Sequence, residues 1–410
     1  MKQYKCNLIC ILLIYSLDSF GIALAYPIFT PLLLETSSLF FSASTSLAYR
    51  TLFLGFLISL FPIMQFIGVP FIGDFSDKIG RKKTFTFTLL GASFSYLLVA
   101  FAIFHSSFLL LCISRLANGF FAGNASLCFA SLSDISATDQ DRNKNFGLMG
   151  AFGGLSFFLS ILCGEYFFDK RSSFSFAPVL PFVVIAILSF SVFIYMLLVF
   201  HDTKQVTEKA KFHISKGFQH IVSALQNETL KNSYLTYFFF AIAWVASMQF
   251  YPSNLLEVYK KTPVDCTINF LIIGVVWSLA NFLVQRSLAK RFTPLQILWI
   301  TIPILFFFLT SCILVQSYVS FSIHFSLSIF MAALIWTNTF ANVSLNASKE
   351  IQGRIMGINQ SFAAIASIAA SLLGGLFTAI HPSLIFVFSA ICLFFSFTFL
   401  RKIKPNKELL

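Results

Sequence analysis

Long apolar runs alternate with short polar segments along almost the whole 410-residue chain. A run of about 20 apolar residues is enough for an α-helix to cross the roughly 30 Å hydrocarbon layer of a membrane. The runs predict about twelve spans, with approximate limits 7–33, 50–72, 84–105, 107–131, 146–168, 177–200, 233–254, 267–289, 295–317, 319–345, 354–379 and 383–400. Membrane β-strands would show alternating apolar and polar residues over about ten positions, so the pattern predicts an all-α membrane protein.

One sizeable hydrophilic insert divides the spans into two groups of six. We therefore expect an N-terminal six-helix bundle at 1–200, a central loop at 201–232, a C-terminal six-helix bundle at 233–400 and a tail at 401–410. The two bundles would be pseudo-symmetric copies of one plan.

Composition supports the membrane assignment, and the positions of the charges predict the orientation of the chain in the membrane. Hydrophobic residues make up 57% of the chain and charged residues 11%, values that a water-soluble globular domain does not reach. The formal charge of +12 does not predict nucleic-acid binding, because the basic residues occupy short gaps between apolar runs and form no basic face. With the N-terminus placed inside, 22 of the 28 basic residues fall in segments on that side, so we expect both termini in the cytoplasm of a cell-membrane protein.

The N-terminal segment has some features of a cleaved signal peptide. Lys2 and Lys5 precede an apolar run that ends in the small residues of Ala23-Leu24-Ala25. Asp18 interrupts that run, however, and we expect a retained first span instead.

No motif predicts a metal, a disulfide or a nucleotide. The eight cysteines are scattered, with no Cys-x-x-Cys pair. The phosphate-binding pattern Gly-x-x-x-x-Gly-Lys-(Ser/Thr) is absent from the sequence, and the central insert is too short for an ATPase domain. We expect neither cofactor nor metal, a proton gradient as the source of energy, and a monomer.

The most charged stretch between spans is "GDFSDKIGRKK", residues 73–83. It resembles the signature Gly-x-x-x-Asp-(Arg/Lys)-x-Gly-Arg-(Lys/Arg) of the major facilitator superfamily, through Gly73, Asp77, Lys78, Gly80, Arg81 and Lys82. Gly73 would allow two helices to approach closely, and Gly80 could adopt the positive φ of a helix end. The resemblance implies a cytoplasmic latch between the two bundles, in which Asp77 meets a helix N-terminus and Arg81 meets Asp134 at the end of span 4.

Two further stretches extend this resemblance. "LDSFGIALAYPIFTP" in span 1 is similar to the opening of the tetracycline/proton antiporter branch, and "SRLANGFFAG" in span 4 matches the family's Arg-x-x-x-Gly pattern at Arg115 and Gly119. Span 5 departs from the drug/proton antiporters, which usually carry Gly-Pro and then Gly-Gly. Here Ser160-Ile161 and Gly164-Glu165 stand at those pairs, and the direction of transport therefore does not follow from the resemblance.

Two ionisable residues lie well inside the predicted spans. An ionisable side chain at bilayer depth costs about 2.5 to 3.5 kcal/mol on insertion scales and normally faces a cavity or a partner. Asp18 is either a proton-binding or substrate-orienting carboxylate, or a structural acid hydrogen-bonded to neighbouring helices. Arg115 is either a counter-charge for Asp18, for a proton relay or for an anionic substrate, or half of a buried structural pair.

Uncharged polar residues within the spans are candidates to line a central cavity, although each alone is more often an interhelical hydrogen bond. They are Gln65, Asn118, Asn124, Gln249, Asn281, Asn338, Asn342 and Gln360.

Together these features predict a secondary transporter of the major facilitator fold. We expect two bundles that expose a central site alternately to each side of the membrane, and proton-coupled export of a drug, metabolite or siderophore-like compound. The alternative is a proton-coupled uptake porter for a nutrient or siderophore. A channel or a transport-inactive receptor is the other class considered.

Overall fold

The computed structural model describes residues 2–34, 40–136, 139–168, 178–203, 228–345 and 352–403. Within these ranges all regular structure is helical. In chain order the helices are α1 (Lys2–Leu34), α2 (Leu47–Ile79), α3 (Arg81–Phe104), α4 (Phe108–Phe121), α5 (Asn124–Ile135), α6 (Asp139–Phe168), α7 (Leu180–Val199), α8 (Glu228–Glu257), α9 (Pro263–Leu279), α10 (Pro294–Leu314), α11 (Tyr318–Leu345), α12 (Gln352–Ile380) and α13 (Leu384–Leu400).

The twelve predicted spans correspond one by one to these helices, with α4 and α5 together forming the fourth. In the described ranges, ten helical stretches are long and apolar enough to cross a membrane. Two shorter apolar helices, Leu148–Gly164 and Leu384–Leu400, coincide with predicted spans 5 and 12. The all-α membrane fold expected from the sequence is therefore confirmed.

The charged cassette at 73–83, which the apolar pattern places between spans 2 and 3, is helical except at Gly80. α2 continues to Ile79 and α3 begins at Arg81, so the break is confined to Gly80, which has a φ of 94°. Only the part of a helix within the hydrocarbon layer has to be apolar, so a membrane helix can continue into water with polar residues. Hydrophobicity therefore located the end of the span but not the end of the helix.

Two spans contain breaks in regular α-helix that the apolar pattern did not indicate. The fourth span is interrupted between Phe121 and Asn124. In the eighth, α9 passes into a π-helical stretch, Ala280–Gln285, before a last turn. Such π-helical turns are frequent at functional sites. Both breaks lie within apolar segments, where hydropathy carries no information on backbone geometry.

The N-terminus of α9 is fixed by local sequence. Thr262 accepts a hydrogen bond from the backbone N–H of Asp265, and the Asp265 carboxylate accepts one from the backbone N–H of Thr262. Pro263 occupies the first helical position, where its missing N–H costs nothing. This capping box starts the helix four residues before the predicted limit of span 8.

The chain packs as two compact units. Unit 1 comprises Met1–Thr45 and Leu60–Ser215, and unit 2 comprises Ser46–Ser59 and Lys216–Leu410. The beginning of α2 therefore packs with the later helices. In unit 1 a core joins α1, α3, α5, α6 and α7, with Ile11, Phe85, Leu132, Met149 and Phe200 fully buried in it. In unit 2, α8 packs against α12 and α13, and α10 packs against α11 and α13.

Candidate functional site

Asp18, in the middle of α1, lies at the break in the fourth span. The Nδ2 of Asn124 donates a hydrogen bond to Asp18 Oδ1 across 3.1 Å, and the backbone N–H of Ala125 interacts with the same carboxylate. Asn124 is the first residue of α5, so the break presents the N-terminal end of a helix to the acid. Free backbone N–H groups and the helix dipole favour a negative charge at such an end.

The local hydrogen bonding of Asp18 is incomplete. In the part of the chain that the structure describes, Asp18 Oδ2 is buried without a hydrogen-bond partner, and so is Asn124 Oδ1. An unsatisfied buried polar atom costs about 1 to 3 kcal/mol. A proton on the carboxyl group would turn one oxygen into a donor, and a ligand or water could supply the remaining partners. The site is therefore chemically suited to gain and lose a proton.

Arg115, on α4, is buried between two aromatic rings. Its guanidinium carbon lies 4.8 Å from the centre of the Phe61 ring and 5.3 Å from that of Phe29. Among the described residues its Nε has no hydrogen-bond partner, and their contacts include no ion pair between Arg115 and Asp18. The structure thus places both ionisable residues in unit 1 without joining them, and cation–π contacts take the place of a counter-ion.

Most of the uncharged candidates form hydrogen bonds between helices. Asn118 accepts from Ser95 Oγ at 2.8 Å, Gln249 from Ser371 Oγ at 2.8 Å, and Asn281 from Thr337 Oγ1 at 2.7 Å. Asn338 and Gln285 donate to each other at 2.7 and 3.2 Å, and Asn342 donates to Ser233 Oγ at 3.0 Å. Gln65 is half-buried, and the side chain of Gln360 lies outside the described residues. These bonds give the amides a structural use in holding helices together.

The structure brings Arg81 and Asp134 together at the charged cassette. Arg81 Nε lies 3.1 Å from Asp134 Oδ2, and Arg81 Nη1 donates to Ser76 Oγ at 2.6 Å. The Arg81 side chain is 8% exposed, which weakens solvent screening of the pair. The guanidinium therefore links the end of α2, the start of α3 and the end of α5.

Asp202, just after α7, was not identified from the sequence. Its Oδ1 accepts a hydrogen bond from the backbone N–H of Arg81 at 3.0 Å, and its Oδ2 lies 3.4 Å from the backbone nitrogen of Lys82. The carboxylate therefore caps the first turn of α3, which has no side-chain cap of its own. A side chain at Gly80 would collide with it. No sequence signal connects positions 121 residues apart.

Gly73 and Asp77 are the other two cassette residues with an expected role. A Cβ placed on Gly73 would have no atom within 4 Å among the described residues, and the close helix approach expected there stays a prediction. The side chain of Asp77 lies outside the described residues, and its expected contact with a helix N-terminus stays a prediction.

A family model described as "Major Facilitator Superfamily" matches residues 8–331. The tetracycline resistance protein, class H, of Pasteurella multocida is 33% identical over 199 residues, which are 48% of this chain and 45% of that protein. The chain thus spans about half the length of this relative. The quinolone resistance protein NorA of Staphylococcus aureus (strain MRSA252) is 24% identical over 338 residues, 80% of this chain and 81% of that protein.

Solved structures with the same fold cover nearly the whole chain. The human organic anion transporter MFSD10 superposes with a TM-score of 0.73 at 17% identity, over 97% of this chain and 99% of that one. The xylose transporter XylE from Escherichia coli gives 0.74 at 14% identity, over 100% and 99%. At these identities the likeness concerns the fold alone.

Proposed function

Because the chain belongs to the Major Facilitator Superfamily, we propose that it is a secondary active transporter that exports a small organic molecule across the cell membrane in exchange for protons. The molecule would be a drug, a metabolite or a siderophore-like compound. Transport would proceed by alternating access, with the proton gradient as its source of energy and no bound cofactor.

The surroundings of Asp18 carry this proposal. One oxygen of this carboxylate accepts a hydrogen bond from an amide at a helix end, and the other is buried and unpartnered among the described residues. The number of hydrogen bonds that the group can form therefore differs between its protonated and ionised states. A group of this kind can couple a proton to a conformational equilibrium, because each conformation favours one protonation state. The tetracycline and quinolone resistance proteins among its relatives support the export direction.

Proton-coupled uptake is the second candidate. Ser160 and Ile161 stand where drug/proton antiporters usually have Gly-Pro, and Ser160 Oγ donates to the backbone oxygen of Phe20 at 2.6 Å. This bond ties α6 to α1 close to Asp18. A D-xylose–proton symporter also shares the fold, with a TM-score of 0.75.

The proposed arrangement in the membrane has both termini in the cytoplasm and a single chain as the working unit. The cytoplasmic side is supported by the distribution of Lys and Arg residues.

Flux in proteoliposomes tests the proposal. Purified full-length protein is reconstituted, candidate compounds found by thermal-shift screening are loaded, and an inward or outward pH gradient is imposed. Saturable movement of a compound against its own gradient, lost when a protonophore is added, is the expected result. If the flux of every compound that binds is independent of the pH gradient, proton coupling is excluded. The direction of the driven flux relative to the pH gradient separates export from uptake.

A further inference from the structure

Three of the four tryptophans of the chain meet in unit 2. Trp244 on α8 and Trp277 on α9 have ring centroids 4.9 Å apart at an interplanar angle of 30°, and Trp336 on α11 lies 6.4 Å from Trp277. Phe340 packs beside Trp336 at 5.4 Å, and Tyr237 packs against both, at 5.2 and 5.8 Å. We call Tyr237, Trp244, Trp277, Trp336 and Phe340 the tryptophan cluster.

The cluster does not belong to the lipid-facing surface of α9. That surface is marked by exposed apolar side chains at three- and four-residue spacing, including Ile268, Ile272, Val275 and Leu279. At 3.6 residues per turn, Trp277 lies about 180° around the helix from the middle of this stripe. Trp277 is nevertheless only half-buried. A large ring with open surface on the non-lipid face of a membrane helix is available to a ligand.

The edge of the cluster is polar and carries no charge. Asn281, one turn after Trp277, donates to the Trp277 backbone oxygen at 3.1 Å and accepts from Thr337 Oγ1, next to Trp336. Asn281 lies in the π-helical stretch, so the backbone is irregular at this point. None of the cation–π contacts in the described part of the chain involves a ring of the cluster.

One buried donor in the cluster lacks an acceptor. Tyr237 is 0% exposed, and its hydroxyl has no hydrogen-bond partner among the described residues. Buried Tyr hydroxyls usually find a partner, and an unmade bond costs about 1 to 3 kcal/mol. A ligand that enters beside Trp336 and displaces the rings that cover this hydroxyl would supply the missing acceptor.

We propose that the tryptophan cluster binds the flat, uncharged aromatic ring system of the transported molecule, and that the Tyr237 hydroxyl donates to a carbonyl oxygen at the edge of that ring system. This inference rests on the proposed transport function and names its substrate class. Ring faces stack best on flat ring systems, which lie against the open surface of a half-buried indole more closely than a globular saturated molecule of equal hydrophobicity.

Acridone, a neutral tricyclic ketone, is the probe. Binding to the purified full-length protein in detergent is followed by acridone emission excited through the tryptophans, and titration gives a Kd. Trp277→Leu removes one ring face and should weaken binding about tenfold, whereas Trp277→Phe should weaken it less. Trp299→Leu is the matched control, because Trp299 stands outside the cluster against Phe397 and should leave the Kd unchanged.

The competition arm tests shape. The flat ketone 9-fluorenone should displace acridone, and the globular ketone 2-adamantanone should not. Tyr237→Phe removes only a hydroxyl and should weaken acridone binding a few-fold, which keeps the test decisive if Trp277→Leu does not fold. A wild-type protein that shows no saturable acridone binding, or a Trp277→Leu variant with the wild-type Kd, overturns the inference.

Flux of acridone in proteoliposomes separates this inference from the proposed function. Gradient-driven flux that is equal in wild type and Trp277→Leu would overturn the aromatic site and leave proton-coupled transport standing. If acridone binding depends on the cluster but no gradient-driven flux is seen, the aromatic site stands and proton-coupled transport is overturned.

Discussion

At the scale of single residues, Asp18 is the side chain on which coupling should depend. Asp18→Asn cannot release a proton but retains a hydrogen-bonding group of nearly equal size beside Asn124. We expect this variant to fold and insert normally and to lose accumulation driven by the pH gradient. Exchange of labelled for unlabelled compound across the membrane needs no net proton movement and should continue. The measurement is both kinds of flux in the same proteoliposomes.

Asp18→Glu is the matched variant for this test. It keeps a titratable group while moving it by one methylene, and it should retain part of the driven flux. Wild-type accumulation by Asp18→Asn would rule out this carboxylate as the proton carrier.

A second prediction at this scale concerns Asp202. Its carboxylate caps α3, and loss of a helix cap costs about 0.5 to 2 kcal/mol. Asp202→Ala should lower the stability of the purified protein by about 1 kcal/mol, measured as a lower midpoint of thermal unfolding. Asn is as good a cap as Asp, so Asp202→Asn should be affected less. Equal unfolding midpoints for Asp202→Ala and wild type would show that the cap contributes nothing.

At the scale of helices, α2 and α12 are in close contact within unit 2, and we expect the stability of the protein to depend on this contact. A Cβ on Gly55 would lie 2.6 Å from the Ser371 backbone oxygen and 2.9 Å from Gly375 Cα. Gly55→Ala must therefore push two backbones apart, and we expect a loss of about 1 to 3 kcal/mol in stability. Thermal unfolding in detergent is the measurement.

Gly154→Ala is the control for that substitution. Gly154 is an exposed helical glycine, and a Cβ there meets no atom within 4 Å in the described part of the chain. It should be neutral or stabilising by up to about 1 kcal/mol, since Gly is a poor helix former. If both variants unfold at the same temperature, the contact at Gly55 is not tight.

The positions of the helices could be predicted from the sequence, whereas the breaks within them could not. The spans follow directly from the length of apolar runs, because a backbone in hydrocarbon must satisfy its own hydrogen bonds. The break before Asn124 and the π-helical stretch at Ala280–Gln285 depend on contacts with neighbouring helices, which hydropathy does not record.

In the candidate site, the charged residues could be predicted from the sequence, but the aromatic rings around Arg115 could not. Asp18 and Arg115 stood out because charge in a membrane span is rare, and Arg81 was paired with Asp134 through the family signature. The rings that enclose Arg115 could not be identified, because Phe29 and Phe61 are two of 55 phenylalanines in the chain. Common residues become informative only when the fold brings them together.

At the scale of the whole molecule, the orientation in the membrane is the remaining prediction. It can be tested at two exposed positions, Ser44 between α1 and α2, and Lys290 between α9 and α10. Basic residues are retained on the cytoplasmic side, which places Ser44 outside and Lys290 inside. Each is changed to Cys in a variant without native cysteines and treated with a membrane-impermeant maleimide.

Ser44→Cys should react in intact cells, and Lys290→Cys only in inverted vesicles. Because an odd number of spans separates the two positions, labelling of both from the same side would contradict the twelve-span arrangement as well as the orientation. Labelling of each from the opposite side to that expected would leave the spans in place and reverse the molecule. In that case the Arg81 to Asp134 pair would face outward, and a cytoplasmic latch at the cassette would no longer be possible.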